Sequence, residues 1–342
     1  MNSPIVSVGI LTHNHDKYIS QAIDSVLEQV ANFPIEIIIH DDESTDLTAS
    51  IIRKYENKYP DRFKTIIQRE NQYPRIKRLL AKYVFPICSG KYIALCEGDD
   101  YWTDPHKLQK QVGYMEEHPE YAMCFHNRIK VDEAGNPIPR SELPEGMKRP
   151  LTKEEIAMSI YPVPPTATVM YRKNCLPSSL PSWALRMPFG DRAMAILVTR
   201  KGDAGYLDFI GSAYRIHPGG VLRGGHRSRQ ALMDFQSRCL VLNNVPMSKS
   251  ARDFVAERSV RSCIRAWNAT AGLPAARSLS VYYRLIKLCL GCPRVIPGLA
   301  REVGRDWRHF LIVTLKALFP PGMIRGLRSG FSRGPAPGKR GA

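Results

Sequence analysis

The chain has 342 residues, ordinary apolar content and a formal charge of +17, enough for one large globular domain with an appendage, or for two domains. The charge is uneven: eighteen Lys/Arg against four Asp/Glu lie from Leu240 onward, a net +14, so a near-neutral body carries a basic tail suited to a polyanionic partner. No signal peptide is expected, and the most apolar late run, Phe310 to Leu315, is too short to span a bilayer.

Ile5 to Leu11 is an apolar, β-rich run that predicts the first strand, ending in the polar turn Thr12-His13-Asn14-His15-Asp16. Ile19, Ala22, Ile23, Val26, Leu27 and Val30 recur at helical spacing, with Asn14 or Asp16 as the expected cap. Glu36 to His40 predicts a second strand, running into Asp41-Asp42-Glu43-Ser44-Thr45-Asp46. Leu47, Ile51 and Tyr55 mark a second helix capped by Ser44 or Asp46. Phe63 to Gln68 predicts a third strand, Pro74 to Ile87 a helix, and Tyr92 to Cys96 a fourth strand buried on both faces. That strand runs straight into Glu97-Gly98-Asp99-Asp100, and acids crowded there repel one another unless a cation joins them. Oxygen ligands suit Mg²⁺ or Mn²⁺. Pro105 opens a further helix carrying Leu108, Val112 and Met115.

Strands alternating with helices predict an α/β fold, a mostly parallel sheet with helices on both faces and ligands at the strands' carboxyl ends. Three polar turns fall at such ends: Thr12–Asn14, Asp41–Asp42 and Asp99–Asp100. GxGxxG and GxxxxGK[ST] are absent, so a nucleotide bound here is held by carboxylates and a metal rather than by a glycine loop.

Past Tyr121 the pattern changes. Tyr121 to His126, Arg128 to Val131, Thr166 to Arg172, Gly205 to Phe209 and Ala213 to Ile216 read as strands, and Glu142 to Pro165 as a surface excursion. Gly190-Asp191 precedes a short helical pattern with Met194, Leu197 and Val198. Beyond about residue 230 the chain turns helical and basic, and residues 329–342 have the composition of a disordered tail. The expected organisation is a domain over 1–230, a basic helical extension over 231–328, and the tail.

Three of these stretches resemble family 2 glycosyltransferases, the inverting enzymes of the GT-A fold. Val6-Ser-Val-Gly-Ile-Leu-Thr12-His13-Asn14 looks like their opening strand. Ile38-Ile-His-Asp41-Asp42-Glu43-Ser-Thr-Asp46 is similar to their VDDGSTD segment. Ser89-Gly-Lys-Tyr-Ile-Ala-Leu-Cys-Glu97-Gly98-Asp99-Asp100 resembles their GEYIxxLDxDD strand and DxD motif. The likeness covers residues 4 to 220 with the motifs in order. It implies that Thr12, His13 and Asn14 line the nucleotide pocket, that Asp41 or, preferably, Asp42 meets the base, and that Asp99 faces ribose or metal. It further implies Asp100 as the metal ligand, Asp191 as the base that activates the acceptor, and His217 reaching the metal or diphosphate. The implied cofactor is Mn²⁺ or Mg²⁺. The implied partners are a nucleotide-diphosphate sugar and a glycan or lipid-linked acceptor.

The chain departs from the family pattern in having Glu97 for the first Asp of the DxD and Glu43 for a glycine. The QxxRW motif and membrane helices of processive synthases are absent, which implies one sugar added per encounter in cell-surface polysaccharide synthesis. A sugar-nucleotide nucleotidyltransferase would carry a glycine-rich loop where Thr12-His13-Asn14 stands, and a non-catalytic carbohydrate-binding relative would have lost the acids. The expected location is cytoplasmic, peripheral on the inner face of the membrane, with the basic tail on anionic lipid rather than nucleic acid. Plainer roles are expected for Asp46 as a helix cap and Trp102 as a packing residue. His126-Asn127 reads as a structural pair or an acceptor contact, and Arg223, Arg227 and Arg229 as phosphate ligands or a solvated loop. Cys88, Cys96 and Cys124 read as core residues, and the only CxxC, Cys289-Leu-Gly-Cys292, as unremarkable thiols in a reducing compartment.

Overall fold

The computed structural model describes residues 3–159, 164–220, 227–273 and 275–305. They fall into two compact units, Met1–Arg223 and Gly224–Ala342. Arg223 and the 329–342 tail lie outside the described residues.

The first unit is built on one mixed, mostly parallel sheet. Its strands are β1 (Val6–Thr12), β2 (Ile35–Asp41), β3 (Phe63–Ile67), β4 (Tyr92–Glu97), β5 (Tyr101–Trp102), β6 (Tyr121–Val131), β7 (Met170–Arg172) and β8 (Asp203–Arg215). They run in the order β3-β2-β1-β4-β7-β6-β8-β5. β1, β2, β3 and β4 pair in parallel, as do β6 and β8. β7 is antiparallel to both neighbours, and β5 to β8.

Helices α1 (Ile19–Leu27), α2 (Thr48–Lys58) and α3 (Lys107–Glu117) contribute Ile19, Ile23, Val26, Ile52, Leu108 and Met115 to one apolar cluster. Val6, Val8 and Ile10 of β1, Ile37 and Ile39 of β2, and Tyr92 and Ala94 of β4 complete it. These are alternate strand positions, as one face of a pleated strand requires. The other face meets the segment Leu80–Val84, which approaches β1 so closely that a Cβ at Gly9 would stand 2.9 Å from Val84 and 3.2 Å from Leu95. Parallel register then levels the strand ends: Thr12 pairs with Asp41, and Leu11 with Glu97.

Several local expectations change under tertiary contact. Helix α1 starts at Ile19 without a side-chain cap, because its N-cap position is Tyr18; Asn14 Oδ1 instead accepts the Thr45 N–H, and the Asp16 backbone N–H donates to Asp46. Asp46 does serve its helix, accepting the Thr48 N–H at 2.9 Å, and it also accepts the Asp16 N–H at 3.1 Å. The expected helix over 74–87 is reduced to a π turn at Leu80–Val84 and a 3₁₀ turn at Phe85–Ile87, preceded by a turn in which Gln72 O accepts the Arg75 and Ile76 N–H groups. β6 and β8 are single long strands whose mutual register shifts around Asn127. Thr166–Thr168 is a 3₁₀ turn, and only Met170–Arg172 is strand.

The 142–165 stretch is less superficial than its composition suggests. Leu151 bridges to Ala204, and the short helix α4 (Lys153–Met158), closed by a Thr152–Glu155 capping box, buries Ile156 and Ala157. Residues 160–163 lie outside the described set. Helices α5 (Ser182–Arg186) and α6 (Gly190–Val198) follow.

The second unit is helical, with α7 (Arg227–Asn244), α8 (Lys249–Asn268), α9 (Ala275–Leu290) and α10 (Ile296–Arg305). α7 and α8 pack along each other, with Phe235, Leu242, Val255 and Val260 buried. Among the described residues no helix is long and apolar enough to cross a membrane.

Candidate active site

The three predicted turns are stitched together by backbone and side chain. Asp42 N–H donates to Thr12 O at 3.0 Å, and Gly98 N–H to Leu11 O at 2.8 Å. Asn14 takes a left-handed conformation (φ 56°), and its Oδ1 accepts the Thr45 N–H at 2.8 Å. Glu43 is left-handed too (φ 63°), so the turn keeps the conformation that glycine gives in the family segment. His13 Nδ1 lies 2.8 Å from Asp42 O.

At the end of β4 the acids part company. Asp99 is half-buried, and its Oδ2 lies 3.0 Å from His217 Nε2 and 3.8 Å from His15 Nε2. The two imidazoles stand nearly perpendicular, ring centres 6.1 Å apart. These three side chains offer ligand atoms within 4.8 Å of one another. Gly98 leaves room for them: a Cβ there would lie 2.7 Å from Thr12 Oγ1 and 2.9 Å from His15 Nδ1. Both of those atoms are buried without a hydrogen-bond partner, so they form a polar cradle. Burial, the largest influence, holds the His15 pKa below its usual value, which keeps the imidazole neutral and its lone pair available.

Asp100, expected to ligate the metal, is not in this cluster. It is buried, and its Oδ1 accepts the Arg215 N–H at 2.9 Å. Burial, and then the Asp99 charge, push its carboxyl well above the usual range. Arg215 then clamps the turn with its side chain. Its Nε donates to Asp99 O at 3.0 Å, Nη1 to Glu133 O at 2.9 Å and Nη2 to Gln21 Oε1 at 2.5 Å. Sequence reading passed over Arg215; its neighbourhood to His217 was the available signal.

Asp191 sits in the first turn of α6, its Oδ1 accepting the Arg192 N–H at 2.8 Å. Burial raises its pKa, against the Arg192 N–H and the Arg78 charge. Glu97 feels both centres: burial, then the Asp99 and Asp191 charges, lift its pKa to about 8. The carboxylates of β4 and α6 therefore act on one another. Arg78 was not anticipated from sequence, where it is one cation in a basic run. It donates Nε to Ala184 O at 3.1 Å and Nη2 to Met187 O, fixing the segment that leads to Asp191. Gly190 lies against this guanidinium: a Cβ there would stand 3.0 Å from Arg78 Nη1.

Asp41 and Asp42, expected to meet the base, are engaged within the protein. Asp42 accepts the N–H groups of Gln72 and Tyr73 at 2.8 and 2.9 Å, and Asp41 accepts the hydroxyl and N–H of Ser44. Trp102 is buried, with Lys107 Nζ 3.8 Å from its ring centre, and packs rather than facing solvent. His126 and Asn127 are buried and bonded, His126 Nδ1 lying 2.7 Å from Asn127 O and Asn127 donating to Glu142 at 2.8 Å.

A parallel strand set ending in acids, with an antiparallel strand beyond it and the acidic helix start of α6, defines the GT-A class of fold. Residues 7–175 match the family model Glycosyl transferase family 2, and the chain belongs to that family. An uncharacterised Mycobacterium tuberculosis protein, Rv1520, is 34% identical over 226 residues, which cover 66% of this chain and 62% of that protein. This chain thus spans under two thirds of that relative's length. A Bacillus subtilis protein described as the putative teichuronic acid biosynthesis glycosyltransferase TuaG is 33% identical over 135 residues, 40% of this chain and 51% of its own. Among solved structures, the Pyrobaculum calidifontis mannosyltransferase PcManGT, in complex with GDP-Man and Mn²⁺, superposes with a TM-score of 0.54 at 16% identity, covering 96% of this chain and 88% of that one.

Proposed function

We propose that the chain is an inverting, metal-assisted glycosyltransferase. It moves one sugar from a nucleotide-diphosphate donor to a hydroxyl of a glycan or lipid-linked acceptor in surface-polysaccharide synthesis. The observation that carries this reading is the meeting of Asp99, His15 and His217 at the carboxyl end of the sheet, electrostatically joined through Glu97 to Asp191. Two imidazoles and one carboxylate beside unpartnered His15 Nδ1 and Thr12 Oγ1 fit a divalent ion. Imidazole donors favour Mn²⁺ over Mg²⁺, which prefers oxygen. Asp99, His217 and His15 would hold it; Asp100 supports the turn from below. When bound, the ion supplies positive charge against the charge growing on the departing diphosphate.

The remaining steps belong to this chain's side chains. Asp191 takes the acceptor hydroxyl's proton as the new bond forms on the face opposite the leaving group. Glu97, its pKa lifted by burial and by its acidic neighbours Asp99 and Asp191, holds its proton more readily than an exposed Glu and so adds less charge against Asp191. Asp42 shapes the base side by holding the Gln72–Tyr73 backbone. The mannosyltransferase bound to GDP-Man and Mn²⁺, and the teichuronic acid name of TuaG, support the donor, metal and polysaccharide parts of the reading.

The test is a donor screen with the full chain. UDP-, GDP- and dTDP-sugars are added with and without Mn²⁺ while thermal stability is followed. One base class should stabilise the protein, with Mn²⁺ required, and Asp99→Asn should abolish the requirement together with the binding. Equal stabilisation in excess chelator, or unchanged behaviour of Asp99→Asn, overturns the metal reading.

A further inference from the structure

The two imidazoles of the acidic site stand outside regular structure. β8 ends at Arg215, Ile216 N–H still ties to Val131 O at 2.8 Å, and His217 follows, leading into Pro218-Gly219-Gly220. His15 lies in the loop before α1. Ligands so placed need packing from elsewhere to hold their orientation. The side chain that both rings meet is Tyr18. Its ring centre lies 5.0 Å from that of His217 at 58°, and 6.4 Å from that of His15 at 57°. Both are ordinary separations for tilted aromatic pairs. The Arg215 guanidinium carbon lies 4.9 Å from the same ring centre. One ring therefore meets positions 215 and 217 together, and so sets the direction in which the chain leaves β8.

Tyr18 is buried and fixed at both ends. Its N–H donates to His15 O at 2.9 Å, and its carbonyl accepts the Ala22 N–H at 3.1 Å as α1 begins. At the far end its hydroxyl donates to Glu133 Oε1 at 3.0 Å. Glu133 belongs to the turn beyond β6, which is closed by Asp132 N–H to Asn136 O at 2.9 Å and by Gly135 N–H to Asp132 O at 3.1 Å. Arg215 Nη1 donates to Glu133 O at 2.9 Å, so the turn, the ring and the end of β8 are bonded to one another. Burial, and then the bond to Glu133, raise the Tyr18 pKa, so the hydroxyl keeps its proton and remains a donor. We propose that Tyr18 is a positioning residue for the metal site, a strut between α1 and Glu133 whose ring sets the places of His217 and His15 around Asp99. The inference rests on the metal reading above and adds to it a residue that acts through the ligands rather than on the ion. A tyrosine that only filled space would lower stability when replaced and leave the Mn²⁺ affinity of the folded chain unchanged.

The experiment titrates the full chain with Mn²⁺ and follows the sharp EPR signal of the aqueous ion, which is lost on binding, with melting temperature recorded beside it. Tyr18→Leu, which removes the ring and keeps the place apolar, should weaken Mn²⁺ by about 10- to 100-fold. Tyr18→Phe keeps the ring and unties its far end, so it should weaken Mn²⁺ by only about 2- to 10-fold, the usual worth of one hydrogen bond. Glu133→Ala should match Tyr18→Phe, and the double variant should lose no more than either. Glu133→Gln keeps an acceptor oxygen and should bind as the unaltered chain does. If Tyr18→Leu does not fold, the Phe, Ala and double variants decide. Unchanged affinity in folded Tyr18→Leu, or losses that add in the double variant, overturns the strut and leaves the metal reading standing. No binding of Mn²⁺ by the unaltered chain overturns both.

Discussion

Two neighbouring carboxylates, Asp99 and Asp100, occupy opposite environments. One meets two imidazoles; the other is buried against the Arg215 backbone. Arg215 joins them, because its main chain bonds Asp100 and its side chain bonds Asp99 O. It is a positioning residue, and Arg215→Ala should weaken Mn²⁺ affinity by about 10- to 100-fold, the usual cost of losing support behind a ligand. The readout is a metal titration; an unchanged Mn²⁺ affinity would leave Arg215 with a purely structural role. Asp191 carries the second residue-scale prediction. Asp191→Asn should keep donor binding and lower turnover by roughly 10²- to 10⁴-fold. Since burial raises the Asp191 pKa, and the base must be ionised, turnover in the unaltered chain should fall on acidification at a higher pH than an exposed Asp would give. Normal turnover in the variant removes Asp191 from that role. The acidic pair itself was legible in the sequence. Which acid faces the site was not, because both sit in the turn after β4, where Asp100 N–H donates to Glu97 O at 3.1 Å, and only the contact of Asp100 with the Arg215 backbone on β8 sets which side chain goes where.

At the scale of elements, the strand ends opposite the site are held by one carboxylate. Glu36 of β2 accepts hydrogen bonds from Lys64 of β3 at 2.6 Å, from Ser7 of β1 at 2.5 Å, and from the Ser89 N–H and hydroxyl at 2.6 and 2.7 Å. Gly90 lets β4 start beside Ser7, where a Cβ would meet the Ser7 N at 2.6 Å. Burial alone would raise the Glu36 pKa, but these donors outweigh it and bring it to about 2 from 4.5. A depressed carboxyl stabilises the fold above its unfolded pKa and loses that contribution as pH falls toward the folded one. The contribution is about 3 kcal/mol, present near neutral pH and lost between roughly pH 4.5 and 2. Urea midpoints from pH 5 to 3 should therefore drop more steeply for the unaltered chain than for Glu36→Gln, which should already be weaker at pH 7. Parallel slopes would show that Glu36 is not the clamp. The strands around it were readable because each is a short apolar run between turn residues. The 74–87 segment was not: its helical spacing gives no sign that Arg78 reaches Ala184 and Met187 more than a hundred residues away. No local pattern reports such a contact.

At the scale of the whole molecule, charge and apolar surface fall together on the second unit. The change to a basic helical composition was visible in sequence, but which helix faces stay uncovered depends on packing that sequence periodicity leaves open. On α9, Ser278, Tyr282 and Leu285 are buried, whereas Leu279, Tyr283, Ile286 and Leu290 are exposed, with Leu290 at 73%. Their spacing of four, three and four residues makes one stripe along the helix. Arg277, Arg284 and Lys287 are exposed on the same helix. An apolar stripe beside cations is the pattern of a helix lying in a lipid interface. Each Lys or Arg near an anionic surface contributes about 1 kcal/mol, so replacing all three with Ala should lower partitioning on the order of 10²-fold. The full chain is therefore expected to sediment with anionic vesicles and poorly with neutral ones. High salt should weaken binding by screening the charges. Serine at Leu279, Tyr283, Ile286 and Leu290 should weaken it at every salt concentration, because it removes the part that salt does not screen. If the serine variant binds as the unaltered chain does, the stripe does not touch lipid and the attraction is charge alone; if neutral vesicles bind equally, the cations have no part in it.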